Sequence, residues 1–451
     1  MSIYGFDQDL FVEKLGVVVF PSRPVRSIEH LFGRVDFLQQ IERALFQPGR
    51  NVFIFGDRGV GKSSLGATAA YLYQSPDAQP IFVSGSADDT FQSIIANIAN
   101  QGLKRSRLHH EKTNTNLGLD WRGIKFGSGK EISTKNIISE LNTIGDATDL
   151  LSQVASQHSE KPIVVIDEFD AIKNTDERNK FAELIKQLGD QSINLKFMFT
   201  GIGKSLDDLL GAHPSAYRQL ETIDLPRLSW EGRWEIVEQA ASAFNLSIDR
   251  NVNYRISMVS DGFPYFVQLL TEKMLWAAFD DEEKVESLTF AHFQVGLQKA
   301  ISSISAELKR PYEKAVLQRE DLFEVIVWAT ADGHDLQREI KDIYRSFKGI
   351  FSRYKPEAYE IEQSSFNNYL RKLKSPAYGE ILCSLDKRKG WYFYKEKMLR
   401  GYVRMQAEAN GVELGGEFEM PRQQMHIQNN ARTGCKGPSI PRGVRINRDK
   451  S

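Results

Sequence analysis

The chain has 451 residues, with 58 Lys and Arg against 59 Asp and Glu for a formal net charge of −1; 41% of it is hydrophobic and 26% charged. At roughly 150 residues per domain this is length for about three domains, which excludes a peptide hormone, a disulfide-stapled toxin or a lone DNA-binding module. The neutral total conceals a gradient: residues 338–451 hold 23 Lys and Arg and 13 Asp and Glu, net +10, which leaves −11 for residues 1–337. Two cysteines, Cys383 and Cys435, cannot build a disulfide framework, and no Cys/His metal spacing occurs. Near the N-terminus, Asp7, Asp9 and Glu13 accompany one short apolar run that Pro21 ends. Neither a signal peptide nor a membrane span fits, so a soluble cytoplasmic protein without membrane contact is expected.

In chain order, residues 1–27 read as an extended lead-in, because Pro21 and Pro24 forbid a helix around them. Apolar residues three or four apart from Ile28 to Leu45 predict a helical segment that Pro48-Gly49 stops. Short runs rich in β-branched and aromatic residues at 51–55, 81–83, 163–166 and 195–199 alternate with helical patterns at 65–73, 90–101, 136–156 and 176–188. Near-continuous apolar strands alternating with helices indicate a parallel sheet covered on both faces. The fold class is therefore α/β, with a core over residues 28–226. Residues 102–135 interrupt it as a Gly-rich, polar insertion with eight Lys and Arg against three acids, in which a hairpin around Leu117–Phe126 is expected. From 227 to 305 the patterns are all helical. From 306 to 415, helical patterns at 313–331, 336–347 and 366–373 precede two apolar runs around the basic turn Asp386–Gly390, the order of a winged helix. Residues 416–451, rich in Asn, Arg, Gly and Pro, are expected to be a disordered basic tail.

Gly56-Asp-Arg-Gly-Val-Gly-Lys-Ser63 satisfies the phosphate-loop (Walker A) pattern, between an apolar run and a helical one. Glycines let backbone N–H groups turn inward around an anion, and the following helix adds its positive end. The expected nucleotide-binding set is Gly56, Asp57, Arg58, Gly59, Val60, Gly61, Lys62, Ser63 and Ser64, with Lys62 on the β- and γ-phosphates of ATP and Ser63 on Mg²⁺. Asp167 and Glu168 close the run Ile163–Ile166 as a Walker B pair: Asp167 for the Mg²⁺ shell, Glu168 to orient and deprotonate the attacking water. Thr200 ends the next strand, where its hydroxyl can reach between carboxylates and γ-phosphate. Arg218, ahead of the helical stretch, reads as a finger into a neighbouring copy of the chain or as a sensor of its own phosphate.

These pieces in this order resemble the AAA+ ATPases, and within them the branch that joins replication initiators and STAND-type switches. Leu31-Phe-Gly-Arg34-Val-Asp-Phe-Leu38 is similar to that branch's opening Gly-Arg motif. The resemblance implies a P-loop AAA+ core, a helical lid at 227–305 and a C-terminal winged-helix domain. It departs at Ser260-Asp-Gly262-Phe-Pro264, where initiators carry the sensor 2 arginine. Gly-Phe-Pro instead resembles the Gly-x-Pro motif of STAND switches, whose proline packs on the nucleotide base; the resemblance thus adds Pro264 to the binding set and implies slow hydrolysis. Two function classes stay open. One is an ATPase whose winged helix, through Phe366–Lys374 and the wing Lys387, Arg388 and Lys389, contacts double-stranded DNA within residues 338–451. The other is a STAND-like signalling or defence switch that contacts protein. A homo-oligomer follows if Arg218 acts between copies.

Overall fold

The computed structural model describes residues 2–104, 119–122, 124–126, 134–203, 205–206, 218–317, 319, 321–354, 361–385 and 388–415. The tail from 416, Lys204, Lys387 and most of the 102–135 insertion lie outside the described residues.

The core sheet is built from β1 (Asn51–Phe55), β2 (Ile81–Ser84), β5 (Ile163–Asp167), β6 (Lys196–Gly201) and β7 (Leu220–Asp224); the insertion includes the expected hairpin, β3 (Leu119–Trp121) and β4 (Ile124–Phe126). All five core strands are parallel, in the order β2-β5-β6-β1-β7. The fifth, β7, was not expected from the sequence. Its short Leu-Glu-Thr-Ile-Asp pattern is only half apolar because it sits at the sheet edge. Strand β6 lies between β1 and β5, so Thr200 at its end stands between the loop after β1 and the acids after β5.

Helices cover both faces: α2 (Val35–Leu45), α3 (Lys62–Tyr73), α4 (Phe91–Lys104), α5 (Thr134–Glu140), α6 (Ile144–His158) and α7 (Thr175–Asp190). The long helix expected from Ile28 is a single 3-10 turn, Ile28–His30, then a break at Gly33 (φ +62), then α2. A Cβ on Gly33 would lie 3.1 Å from the Gly232 Cα, so the chain turns where two backbones meet. The helix expected over 136–156 is also two, because Thr143 caps α6 with a reciprocal bond to Asp146.

The lead-in is not extended throughout, as expected, but begins with α1 (Gln8–Val18). Asp7 caps it, accepting from the Leu10 amide at 2.8 Å. Phe11, fully buried, packs on the rings of Phe244, Trp276 and Phe279, with centroids 5.0, 4.8 and 4.3 Å away. Those rings belong to the helical stretch: α8 (Trp230–Ala243) and the residue after it, α9 (Arg250–Val259), α10 (Pro264–Phe279) and α11 (Phe290–Ser303). A two-residue parallel pair, β8 (Ser247–Ile248) with β9 (Ser287–Leu288), interrupts the expected all-helical pattern.

The third segment comprises α12 (Ala306–Val316), α13 (Asp321–Ala331), β10 (Gln337–Glu339), α14 (Ile340–Tyr354), α15 (Gln363–Lys372), β11 (Leu382–Leu385), β12 (Arg388–Tyr394) and α16 (Lys397–Ala409). Its three strands form an antiparallel sheet, β10-β12-β11. The single helix expected at 313–331 is divided between α12 and α13, and the start of the one expected at 336 is strand. Helix α16 packs on α9 and α11 as well as on α12 and α13, so it joins the helical stretch to the third segment. Residues 1–414 form one compact unit.

Candidate nucleotide site

The phosphate loop leaves β1 at Phe55 and enters α3 at Lys62. Gly59 (φ +81) and Gly61 (φ +98) hold left-handed backbone that a side chain would strain. The Lys62 ammonium folds back onto the loop, donating to the carbonyls of Gly56 at 3.2 Å and Asp57 at 2.9 Å. Burial lowers its pKa, and Asp170, Asp167, Asp57 and Glu168 only partly restore it. An anion placed in the loop would therefore meet a cation whose present partners are neutral carbonyls.

Asp167 ends β5, and one of its oxygens, Oδ1, accepts from the Ser63 hydroxyl at 2.9 Å, from the Glu168 amide at 3.1 Å and from the Thr200 hydroxyl. Thr200 also accepts from the Glu168 amide at 3.2 Å. Glu168 is exposed to the cleft and left-handed (φ +52), so the chain turns sharply there and the two carboxylates diverge. A hydroxyl and a carboxylate oxygen already in contact are the donors Mg²⁺ accepts beside phosphate and water. No group of three or more His, Cys, Asp or Glu among the described residues is placed to hold a metal by itself. The residues therefore fit a cation that shares its shell with a bound phosphate.

These groups line a cleft of about 630 Å³ that also includes Arg58, Gly59, Gly61, Ser64 and Pro264. Pro264 opens α10, and its Cγ would lie 3.7 Å from a Cβ on Gly61. Val60 points into the core; its carbonyl accepts from buried Arg34 at 3.1 Å. Asp57 is drawn outward to Lys397, and Arg58 to Glu307 at 3.2 Å. Arg218 is not brought to the cleft. It precedes β7, whose start pairs with Asn51, while the loop follows the far end of β1. At about 3.3 Å per residue that is roughly 15 Å from its own phosphate loop.

Sequence reasoning missed four parts of the cleft. Phe20 to Val25 forms a wall tied at both ends: the Phe20 amide donates to Gln268 at 3.0 Å, and the Val25 amide to Ser64 at 3.1 Å. Pro21 and Pro24, which keep that strap out of a helix, were its signal. Tyr265 and Gln268 contribute from α10, and Asp170 lies three residues beyond Asp167. The fourth part, Glu396, comes from the third segment, where no local pattern marks it.

A glycine loop between parallel strand and helix, with Lys62, Ser63 and Asp167 converging, defines a P-loop NTPase. Residues 25–341, well over half of the chain, match the family model Novel STAND NTPase 1, and the chain belongs to that family. No curated protein matches the sequence. Among solved structures, a Walker-type ATPase of Pyrococcus abyssi is 16% identical with a TM-score of 0.49, over 85% of this chain and 99% of that one. The CDC6p structure from Pyrobaculum aerophilum is 16% identical with a TM-score of 0.43, over 90% and 98%. The RuvB Holliday junction branch migration motor of Thermotoga maritima is 12% identical with a TM-score of 0.42, over 86% and 98%. All three likenesses are distant.

Proposed function

We propose that the protein is an AAA+ ATPase that binds ATP with Mg²⁺, hydrolyses it slowly to ADP and phosphate, and couples its nucleotide state to a winged helix that contacts double-stranded DNA. The observation that carries the coupling is the first turn of α16, which lies on the phosphate loop. Glu396 lines the cleft, Lys397 reaches Asp57 at 2.5 Å, and the Met398 Sδ would lie 2.4 Å from a Cβ on Gly59.

In this reading Lys62 leaves its loop carbonyls for the β- and γ-phosphates. Bound Mg²⁺, held by Ser63 and by Asp167 through water, would supply charge neutralisation at the γ-phosphate. Glu168 orients the attacking water and accepts its proton. Thr200 fixes both acids by holding the Asp167 carboxylate and the Glu168 amide. Pro264 at the first position of α10 leaves no arginine there, consistent with slow turnover. The place of Arg218, away from its own loop, favours a finger into a neighbouring copy. Light scattering with a non-hydrolysed ATP analogue tests that: growth to an oligomer supports it, and an unchanged monomer removes it.

The order helix, strand, helix, helix, strand, strand over α13 to β12 supports the winged-helix reading. Arg371 and Lys372 at the end of α15, with Arg388 and Lys389 on β12, are exposed. Duplex binding by the full chain, followed by anisotropy against NaCl, tests the DNA claim. Affinity falling steeply with salt supports it, and no binding at low salt leaves the second reading. That alternative, a switch contacting protein, is favoured by Pro264 of a Gly-Phe-Pro motif lining the cleft beside Gly61.

A further inference from the structure

We propose that Asp261 is a positioning residue for the nucleotide site: as the shared counter-ion of Arg227, Arg400 and Arg404 it ties the lid hinge to α16 and so holds Met398 and Lys397 on the phosphate loop. This rests on the nucleotide-coupled reading above and names the residue through which the coupling is held.

Asp261 has left-handed backbone (φ +51) between α9 and α10 and is only 4% exposed. Its Oδ1 accepts from Arg227 at 2.6 Å, and Arg227 also donates to its carbonyl at 2.8 Å. Arg400 lies 3.5 Å from Oδ2 and Arg404 3.7 Å from Oδ1. Both arginines are buried, at 1% and 5% exposure. They are held from behind by carbonyls: Arg400 donates to Gly333 at 2.6 Å, and Arg404 to Ala331 at 2.9 Å and Met258 at 3.0 Å. Burial alone would raise the aspartate pKa, but Arg400, Arg404, Arg227 and Arg233 outweigh it and hold the carboxyl below its ordinary value. One carboxylate thus answers several buried guanidinium groups. Removing a single partner from such a cluster leaves uncompensated buried charge, so the cluster acts as a unit.

The cluster joins two holds on the same loop. Arg400 and Arg404 are one turn apart on α16, so they share a face, and Lys397 stands three residues before Arg400. Fixing that face fixes the first turn, which carries Lys397 to Asp57 and Met398 to Gly59. On the other side, Arg227 follows Pro226, whose carbonyl accepts from Arg34 at 2.6 Å. The same Arg34 nitrogen holds the Val60 carbonyl at 3.1 Å. In a planar trans peptide the C=O and the next N–H point opposite ways, so anchoring the Val60 carbonyl behind the loop turns the Gly61 amide toward the cradle. Arg34 thus holds the loop from behind and α16 holds it from in front, and the two meet at Arg227 and Asp261.

The test is the dissociation rate of N-methylanthraniloyl-ADP from the full chain by stopped flow, in a cycle of Asp261→Asn and Met398→Ala, residues that do not touch. Each variant should speed release by about tenfold, within the usual range of coupling between sites. The pair should release no faster than Asp261→Asn alone, because Met398 has already left the loop. Arg227→Gln, at the rim of the cluster, should show the same non-additivity if Asp261→Asn fails to fold. A second readout needs no nucleotide: disulfide formation between Asp57→Cys and Lys397→Cys in a chain lacking Cys383 and Cys435, which Asp261→Asn or Arg227→Gln should slow. Additive release rates, or cross-linking at the unaltered rate in folded variants, overturn the proposal. A wild-type chain that takes up no N-methylanthraniloyl-ADP overturns the nucleotide reading instead, and cross-linking still decides the role of Asp261.

Discussion

Met398 rests on Gly59 so closely that a Cβ added to that glycine would lie 2.4 Å from the Met398 Sδ. The two residues are more than 300 positions apart, one in the phosphate loop and one in the first turn of α16. Gly59 is therefore constrained twice, by its φ of +81° and by its neighbour.

Gly59→Ala should destabilise the protein by about 2–3 kcal/mol in urea unfolding, of which ~1 kcal/mol is left-handed backbone strain. In a Met398→Ala chain the same substitution should cost only the backbone part, about 1 kcal/mol. Equal costs in the two backgrounds would mean that Met398 does not press on the loop in solution.

Lys62→Ala should abolish the rise in melting temperature produced by ATP with Mg²⁺, since it removes the charge facing the phosphates. Glu168→Gln should keep that rise. Loss of the shift in both, or in neither, would place the nucleotide elsewhere.

Asp261 makes stability depend on acid pH. Its folded pKa lies below the ordinary value, so its contribution is complete above about pH 4 and is lost as pH falls through the depressed value. Between pH 4 and the acid limit, wild-type stability should fall more steeply than that of Asp261→Asn, measured by urea unfolding at several pH values. Parallel profiles would show the carboxylate to be uncoupled from its arginines.

Phe11→Ala should cost about 3–5 kcal/mol, because it empties a fully buried aromatic site between α1 and the helical stretch. It should also weaken nucleotide binding, since α1 leads into the Phe20–Val25 strap that walls the cleft. Unchanged stability would mean that α1 is not docked.

Legibility followed the range of the contacts. The loop from Gly56 to Ser63 and the pair Asp167 and Glu168 are each contiguous, and each follows a run of four apolar residues, so strand, loop and acids all showed in the sequence. Helix α1 did not: its cap at Asp7 and its buried Phe11 and Leu15 were masked by the prolines that follow. Strand β7 was hidden by its edge position. Glu396, Met398 and Asp261 escaped because their partners lie across the fold, and an Asp-Gly pair before Pro264 reads locally as nothing more than a turn.

The most direct measurement is phosphate release from ATP and Mg²⁺ by the purified full chain, beside Glu168→Gln. Slow release by the wild type and none by the variant, with ATP still raising the melting temperature of both, is the predicted result. Release that is absent from the wild type, or equal in the two, would contradict an ATPase built on Lys62, Asp167 and Glu168.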